Sequence, residues 1–247
     1  MRLLILTFPQ GIVREWSGNG FIRNIVIKVN PNYNFLIFAI LFLFKLKMIL
    51  PIVVYGDPVL RKECVDITKT HEGLEKLIAD MFETMYNASG VGLAAPQIGK
   101  AIRLFIVDTE PFATSDDEED DDEFTKEERE QLITFKKVFI NARMLEEVGD
   151  EWKFNEGCLS IPKIREDVLR NEEITIEYYD QNFKKHTETY KGLIARVIQH
   201  EYDHIEGKLF TDRISPLRKK LITGKLNDIS KGKISADYKT KIYVTKK

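Results

Sequence analysis

The chain is poor in cysteine and histidine, and its charges almost cancel. Only two of its 247 residues are cysteines, Cys64 and Cys158, and only four are histidines. Two cysteines cannot build the disulfide framework of a small secreted domain, so the sequence favours a reducing, cytoplasmic setting. A net charge of −2 argues for neither a nucleic-acid nor a membrane partner, and 43% hydrophobic with 31% charged residues is typical of a globular protein.

The chain also lacks a hydrophobic run of the roughly 18 residues that a bilayer span requires. Its densest apolar run is FLIFAILFLF, Phe35–Phe44, which lies too far from the start for a signal peptide and is followed by Lys-Leu-Lys. We interpret residues 1–47 as lying outside the functional domain, residues 48–247, and as the product of a misplaced translation start. A transit peptide and a membrane anchor are the alternatives for this segment.

Hydrophobic periodicity predicts two helices. GLEKLIADMFETMYNASG, residues 73–90, has one continuous apolar stripe at helical spacing. In GLIARVIQHEYDHIEG, Leu193 and Val197 fall in the same row as His200 and His204. The second helix is therefore expected to be buried with its polar groups facing inward, which is unfavourable unless a ligand such as a metal ion satisfies them.

Four segments read as β-strands: IRLFIVD, FKKVFINARM, EITIEYYD and KKHTETYKG, the last two forming a hairpin that turns at DQNFKK. VGLAAPQIG, which follows the first helix, is rich in Gly and Pro and is predicted to be an irregular loop. Strands and helices that do not alternate regularly predict an α+β fold, with mainly antiparallel sheets packed around a buried central helix.

The second helix carries a metal-binding signature, His-Glu-x-x-His. His200 and His204 are four residues apart, so both imidazoles lie on one helix face. Many zinc peptidases add a third histidine six residues further on, but this chain has Phe210 at that position. A third ligand must come from another segment.

Few residues qualify as the third ligand. His71 and His186 lie in charged contexts, KTHEG and KKHTE, that are typical of surface histidines. Asp212 and Asp228 lie in basic surroundings that read as unstructured. Cys158, in NEGCLSIP, remains, although a single loop cysteine is more often a small buried hydrophobic residue.

Three motifs together carry a resemblance to a known family. GVGLAAPQ (Gly90–Gln97), EGCLS (Glu156–Ser160) and QHEYDH (Gln199–His204), in this order, closely resemble the signature motifs of the bacterial peptide deformylases. GDPVLR, which begins at Gly56, fits the same family. The resemblance covers essentially the whole chain from Met48 onward, and three motifs in the correct order are very specific.

The resemblance implies that Cys158, His200 and His204 bind the metal. Three protein ligands leave one position of a tetrahedral site open, which is typical of catalytic and not of structural sites. Thiolate and imidazole ligands suit Fe2+ or Zn2+ and disfavour Mg2+ or Ca2+. The family implies Fe2+, with Zn2+, Ni2+ or Co2+ as substitutes.

The resemblance also implies the catalytic residues. Glu201 would act as the base that takes a proton from water and delivers it to the leaving amine. The side-chain amide of Gln97 and the backbone N–H of Leu159 would stabilise the oxyanion. Gly92 would let the substrate backbone pass close to the site, and Glu156 would support the site as a hydrogen-bond acceptor.

The implied reaction is hydrolysis of the formyl group from the formyl-methionine of newly synthesised polypeptides, with release of formate. The implied partners are N-formylmethionyl nascent peptides, with no membrane and no specific nucleic acid. Val91, Leu193 and Val197 are candidates for the wall of an apolar pocket for methionine, although packing in the core explains them equally well. A small site would accept formyl and exclude bulkier acyl groups.

Two charged stretches of the chain lie outside the family motifs. The acidic insert, residues 114–124, contains eight consecutive acidic residues, Asp116–Glu123, and is interpreted as a solvated connection, with metal buffering as the alternative. The basic tail, residues 213–247, has eleven Lys or Arg and two Asp. It is interpreted as solvated surface, with a weak contact to ribosomal RNA as the alternative.

Two competing functions are weaker. A His-Glu-x-x-His zinc endopeptidase does not explain Phe210 or the motifs around Cys158 and Gln97. A non-catalytic binding protein does not explain why every residue with an implied catalytic role is present.

Overall fold

The computed structural model describes residues 48–114 and 125–243 in full, together with the backbone of three short strands nearer the N-terminus. The apolar run Phe35–Phe44 and the acidic run Asp116–Glu123 lie outside the described residues. The chain divides into two compact units, Met1–Leu46 and Lys47–Lys247.

The first unit contains a small antiparallel sheet. Its strands are β1 (Leu4–Thr7), β2 (Ile12–Trp16) and β3 (Ile22–Val26), and they pair in chain order.

A five-stranded antiparallel sheet forms the main part of the second unit, with its strands again in chain order. The strands are β5 (Gly92–Ala94), β6 (Leu104–Asp108), β7 (Lys136–Cys158), β8 (Ile161–Tyr179) and β9 (Lys185–Lys191). All four predicted strands lie within this sheet, and the predicted hairpin joins β8 to β9. An α+β fold with mainly antiparallel sheet is therefore confirmed.

The β7–β8 ribbon is much longer than the strands predicted from its sequence. Four register shifts interrupt it, the last between Gly157 and Cys158. Such irregularities bend a strand locally. The ribbon can therefore contribute Val138 and Ile140 to the core at its start and place Cys158 at a functional site at its end.

Five α-helices are described in the second unit. They are α1 (Leu74–Asn87), α2 (Glu110–Ala113), α3 (Lys126–Thr134), α4 (Gly192–Ile205) and α5 (Pro216–Ser230). Both predicted helices, α1 and α4, are present within a few residues of their expected ends. Helix α1 buries the predicted stripe, including Leu77, Met81 and Met85, against the sheet residues Leu104 and Ile106.

Two expectations about irregular structure were wrong. VGLAAPQIG forms strand β5 and a 3-10 turn, Ala95–Ile98, because its small residues fit a fully buried sheet edge paired with β6. The surroundings of Asp212 and Asp228 are also ordered, in a 3-10 turn and in helix α5. Helix α5 buries Ile222, Leu226 and Ile229 at helical spacing.

The C-terminal segment returns to the start of the second unit. Strand β4 (Ile52–Val53) pairs in parallel with β10 (Thr240–Lys241). The N–H of Ile52 donates to the Lys239 carbonyl at 2.9 Å and that of Val54 to the Lys241 carbonyl at 3.2 Å. None of the helices in the described part of the chain is long and apolar enough to cross a bilayer.

Candidate metal centre and active site

Helix α4 places His200, Glu201 and His204 in the interior of the protein. The helix follows β9 without a loop and packs on strands β5, β6, β8 and β9. Its apolar residues Ala195 and Ile198 belong to one core cluster with residues of the sheet. Because the histidines follow the same helix face, they are carried into the protein with the apolar residues.

Cys158 meets the two histidines at the end of β7. One ligand atom from each of Cys158, His200 and His204 lies within 4.8 Å of the others, the one such cluster in the described residues. The distance between Cys158 Sγ and His204 Nε2 is 3.3 Å. A tetrahedral metal with ordinary metal–sulfur and metal–nitrogen bonds separates these two ligand atoms by about 3.6 Å. The donor set and its spacing therefore fit a transition-metal ion.

Glu156 orients His200 from behind the cluster. Nδ1 of His200 lies 2.9 Å from Glu156 Oε2, which leaves Nε2 for the cluster. Arg170 donates to both oxygens of Glu156, at 2.7 and 3.0 Å, and Arg196 adds a third bond at 3.1 Å. Burial alone would raise the pKa of Glu156, but the hydrogen bonds from His200 and Arg170 hold it well below its usual range.

The charged network continues away from the cluster. Arg170 also donates to Asp203 at 2.7 Å, and Arg213 holds the same carboxylate with two bonds of 2.6 Å. Burial acts to raise the pKa of Asp203, yet Arg213 and Arg170 lower it. Arg170, Arg196 and Arg213 were not predicted as site residues, since none of them belongs to the three motifs.

Glu201 differs from Glu156 because its carboxylate has few partners. Oε2 of Glu201 is buried and accepts no hydrogen bond from any described residue. Burial raises the pKa of Glu201 to about 7, against smaller opposing effects of His200 and Arg170. A buried oxygen without a partner is unfavourable in isolation, so the arrangement is suited to an added ligand, water or metal.

Gly92 makes room for Glu201. A Cβ atom at Gly92 would lie 2.4 Å from Glu201 Oε1 and 2.7 Å from its Cδ. The family resemblance implies that this glycine lets the substrate backbone pass close to the site. The structure adds a second reason for a glycine, since any side chain here would displace the Glu201 carboxylate.

Gln97 points its amide nitrogen at the cluster. Its Oε1 accepts the Ala94 N–H at 2.8 Å, which fixes the amide orientation, and Nε2 lies 3.5 Å from Cys158 Sγ. Leu159 follows Cys158 directly, and its carbonyl accepts a hydrogen bond from the Tyr238 hydroxyl at 2.7 Å. The Gln97 amide therefore lies beside Cys158, and Leu159 lines the same cavity.

These side chains open onto one cavity of about 430 Å³. The sequence-predicted residues that line it are Gly92, Gln97, Glu156, Cys158, Leu159, His200 and Glu201. Val91 and Val197 also line it, as expected, whereas Leu193 lines a separate cavity with Trp152 and Phe154. The prediction of Leu193 as a wall of the same pocket was therefore wrong, because its side chain lies nearer the start of α4 and the β7–β8 ribbon.

The other sequence candidates for a ligand lie elsewhere. His186 pairs with Asp180 at 3.0 Å, and Asp212 is held by Arg61 and Lys219. Phe210, at the position of a third histidine in many zinc peptidases, is buried, and its ring stacks on His200 with centroids 6.2 Å apart. It supports the histidine by packing.

Comparison with known proteins identifies the family. Residues 49–220 match the family model described as polypeptide deformylase. The chain is 63% identical over 200 residues to the peptide deformylase of Flavobacterium psychrophilum, which covers 81% of this chain and 100% of the relative. It is 58% identical to that of Christiangramia forsetii, which covers 81% and 99%.

Solved structures agree with this result. A crystal structure of a peptide deformylase from Legionella pneumophila superposes with a TM-score of 0.60 at 36% identity, which covers 75% of this chain and 97% of that one. The family match, the relatives and the shared fold all lead to the same assignment. The chain therefore belongs to the peptide deformylase family, the enzymes that hydrolyse the formyl group from the N-terminus of polypeptides.

Proposed function

We propose that this deformylase acts on the formyl-methionine of nascent peptides in the cytoplasm and releases formate. The observation that carries the proposal is the meeting of three groups: the ligand triad of Cys158, His200 and His204, the carboxylate of Glu201, and the amide of Gln97. Glu201 and Gln97 line one cavity together with Cys158 and His200 of the triad. Residues 48–247 would form the catalytic domain, and residues 1–47 would lie outside it.

Cys158, His200 and His204 would hold the metal. A thiolate and two imidazoles suit Fe2+, which we propose as the native ion, and Zn2+, Ni2+ or Co2+ would fit the same donors. When bound, the ion would lower the pKa of water and polarise the formyl carbonyl. Glu156 would keep His200 in the tautomer that presents Nε2 to the ion.

Glu201 would move the proton. Its carboxylate lines the cavity and has a buried oxygen that accepts nothing from the described residues, so it is free to accept a proton from the attacking water. The same carboxyl would then donate that proton to the leaving amine. Gly92 would contribute by leaving the space that Glu201 occupies.

Gln97 and Leu159 would stabilise the oxyanion. Gln97 is held by its Ala94 bond with Nε2 directed toward Cys158, and Leu159 offers a backbone N–H one residue after the thiolate. Donors that are fixed before the reaction stabilise the developing charge without reorganising.

The apolar part of the cavity lining would suit the side chain of a methionine substrate. Its lining includes the apolar side chains of Val91, Phe112, Ile161 and Val197 close to Cys158 and Glu201. An unbranched thioether side chain packs well in such surroundings.

We also propose that α4, which packs on four strands of the main sheet, is the central helix of the fold.

Only part of the basic tail, residues 213–247, would be available for a weak contact with the ribosome. Arg213 pairs with Asp203, Arg218 with Glu166, and Lys219 with Asp212, so some of its charge serves the fold. Helix α5 still exposes Leu217 and Leu221, at 68% and 64%, among basic residues. This surface would suit a weak and salt-dependent contact without sequence specificity.

The test is to purify the full chain without oxygen and supply a formyl-methionyl peptide. Formate release and internal peptide-bond cleavage are followed in the same reaction. Formate with an intact peptide, lost on exposure to air and restored by Fe2+, is expected. Peptide-bond cleavage without formate would instead support the zinc endopeptidase and overturn the assigned roles.

A further inference from the structure

The segment that follows helix α5, residues 231–243, forms one side of the active-site cavity. Ala236, Asp237 and Tyr238 line the cavity together with Cys158 and Glu201. This segment lies beyond residues 49–220, which match the family model. Its contribution is therefore not part of the three family motifs.

The segment is anchored at several points. Strand β10 pairs with β4, as described above, and Ile234 packs on the core cluster that contains Val53 and Leu209. The ring of Tyr238 packs on the core cluster that contains Met85 and Leu93, as does Leu159. Tyr238 therefore occupies a defined position beside the cavity.

Two hydrogen bonds fix consecutive carbonyls of the turn after Cys158. The Tyr238 hydroxyl donates to the Leu159 carbonyl at 2.7 Å, and the Tyr55 N–H donates to the Ser160 carbonyl at 2.8 Å. The Tyr55 bond comes from backbone and survives any change of side chain. The Tyr238 bond depends on one hydroxyl group.

We infer that Tyr238 is a positioning residue for deformylation, which acts by fixing the backbone of Leu159. The inference rests on the proposed function, in which the Leu159 N–H stabilises the oxyanion. Tyr238 would act through Leu159, whose carbonyl its hydroxyl holds. Oxyanion donors must lie about 2.7–3.1 Å from the developing charge, so a small rotation of this backbone weakens the interaction in the transition state more than in the bound substrate.

The test compares Tyr238→Phe with Tyr243→Phe. Both changes remove one hydroxyl from the same segment, but Tyr243 is 47% exposed and does not line the cavity. In Tyr238→Phe we expect kcat to fall about three- to tenfold, in line with the loss of one hydrogen bond, while KM changes less than about twofold. Bound metal per chain stays unchanged, and Tyr243→Phe behaves as the parent enzyme.

A second measurement does not depend on activity. Amide hydrogen exchange in a peptide that spans residues 157–160 is expected to become faster in Tyr238→Phe and to stay unchanged in Tyr243→Phe. An unchanged kcat in Tyr238→Phe would overturn the inference. A loss of activity in proportion to lost metal would also overturn it, because Tyr238 would then only support the structure of the metal site. If the parent enzyme itself releases no formate, the proposed function fails instead.

Discussion

Glu156 contacts His200 and Glu201 follows it in the chain; the two are equally buried, each 4% exposed, yet their surroundings are opposite. Glu156 accepts hydrogen bonds from His200, Arg170 and Arg196, and its pKa is held well below the usual range. Glu201 has a buried oxygen with no partner among the described residues, and burial raises its pKa.

The comparison shows that burial alone does not decide what a carboxylate does. Hydrogen-bond donors stabilise the charged form of Glu156, so it serves as a fixed anchor for His200. Glu201 lacks such donors and keeps an oxygen for substrate, water or metal. Neighbouring carboxyl groups whose surroundings push their pKa values apart are a common basis for separate catalytic roles.

The largest effect on kcat is expected when the Glu201 carboxylate is replaced by a neutral group. Glu201→Gln keeps the shape of the side chain but removes the base, so kcat for formate release should fall by about 10²–10⁴-fold. Bound metal should remain at the parental level, because none of the three ligands is changed. Steady-state kinetics and metal analysis on the same sample measure both.

Glu206→Gln is the matched control. Glu206 lies at the end of the same helix and pairs with Arg103 away from the cavity. It should leave kcat unchanged. Full activity in Glu201→Gln would show that the comparison assigns the wrong carboxylate to catalysis.

Removing the Glu156 side chain should lower the stability of the protein and its affinity for the metal. Glu156→Ala removes the acceptor of two hydrogen bonds from the buried Arg170 and the only carboxylate that the buried Arg196 contacts in the described residues, so the free energy of unfolding should fall by about 3–5 kcal/mol. Metal affinity should fall about 10–100-fold, because His200 loses the partner that orients it. Urea unfolding and metal titration measure these changes.

Glu166 provides the comparison for this variant. Its side chain is only 5% exposed, but its partner Arg218 is 56% exposed and is rehydrated when the pair is lost. Glu166→Ala should therefore cost about 1 kcal/mol or less. Equal losses in both variants would argue that the network behind His200 has no special role.

A methyl group at Gly92 tests whether the position of Glu201 matters as well as its charge. Gly92→Ala would push the Glu201 carboxylate from its place, and kcat should fall about 10–100-fold with metal retained. Gly224→Ala is the control, because its Cβ meets nothing within 4 Å in helix α5. That variant should keep full activity and gain about 0.5–1 kcal/mol in stability. Parental kcat in Gly92→Ala would mean that Glu201 tolerates displacement.

The smallest effect concerns a carboxylate that is paired near the surface. Burial acts to raise the pKa of Asp212, but Arg61 and Lys219 lower it from 3.8 to about 2. A lowered folded-state pKa contributes stability above about pH 4 that is lost as the pH falls toward 2. Asp212→Asn should thus be less stable than the parent at pH 7 by about 1 kcal/mol or less, since both partners are more than one-third exposed. Urea unfolding at several pH values measures the difference, which should shrink below about pH 4 and vanish only below about pH 2; a constant difference would contradict the assignment.

The parts of the site that local sequence could predict are those set by helical spacing. His200 and His204 share a face because they are four residues apart, and the apolar row beside them indicated that this face is buried. Cys158 and Gln97 come from other segments. Their inclusion depended on the resemblance to a family.

The charged network behind His200 could not be predicted in this way. Arg170 lies on β8 and Arg196 on α4, and their shared contact with Glu156 exists only in the folded chain. Helix α5 was missed for a different reason: Ile222, Leu226 and Ile229 have helical spacing, but the abundant lysines around them suggested a solvated tail. Tyr238 carried no local signal at all.

The parallel pairing of β4 with β10 has a consequence for how the enzyme is made. Ile52 emerges from the ribosome early, whereas its partner Thr240 is added after the whole of the main sheet and helix α4. Since proteins begin to fold from the N-terminal side during synthesis, the metal ligands can come together before the cavity has its last wall. During synthesis the enzyme would pass through a partly folded stage in which metal can reach the ligands from the side that residues 231–243 later cover. It would become fully active only when this segment, with Tyr238, has folded against the cavity.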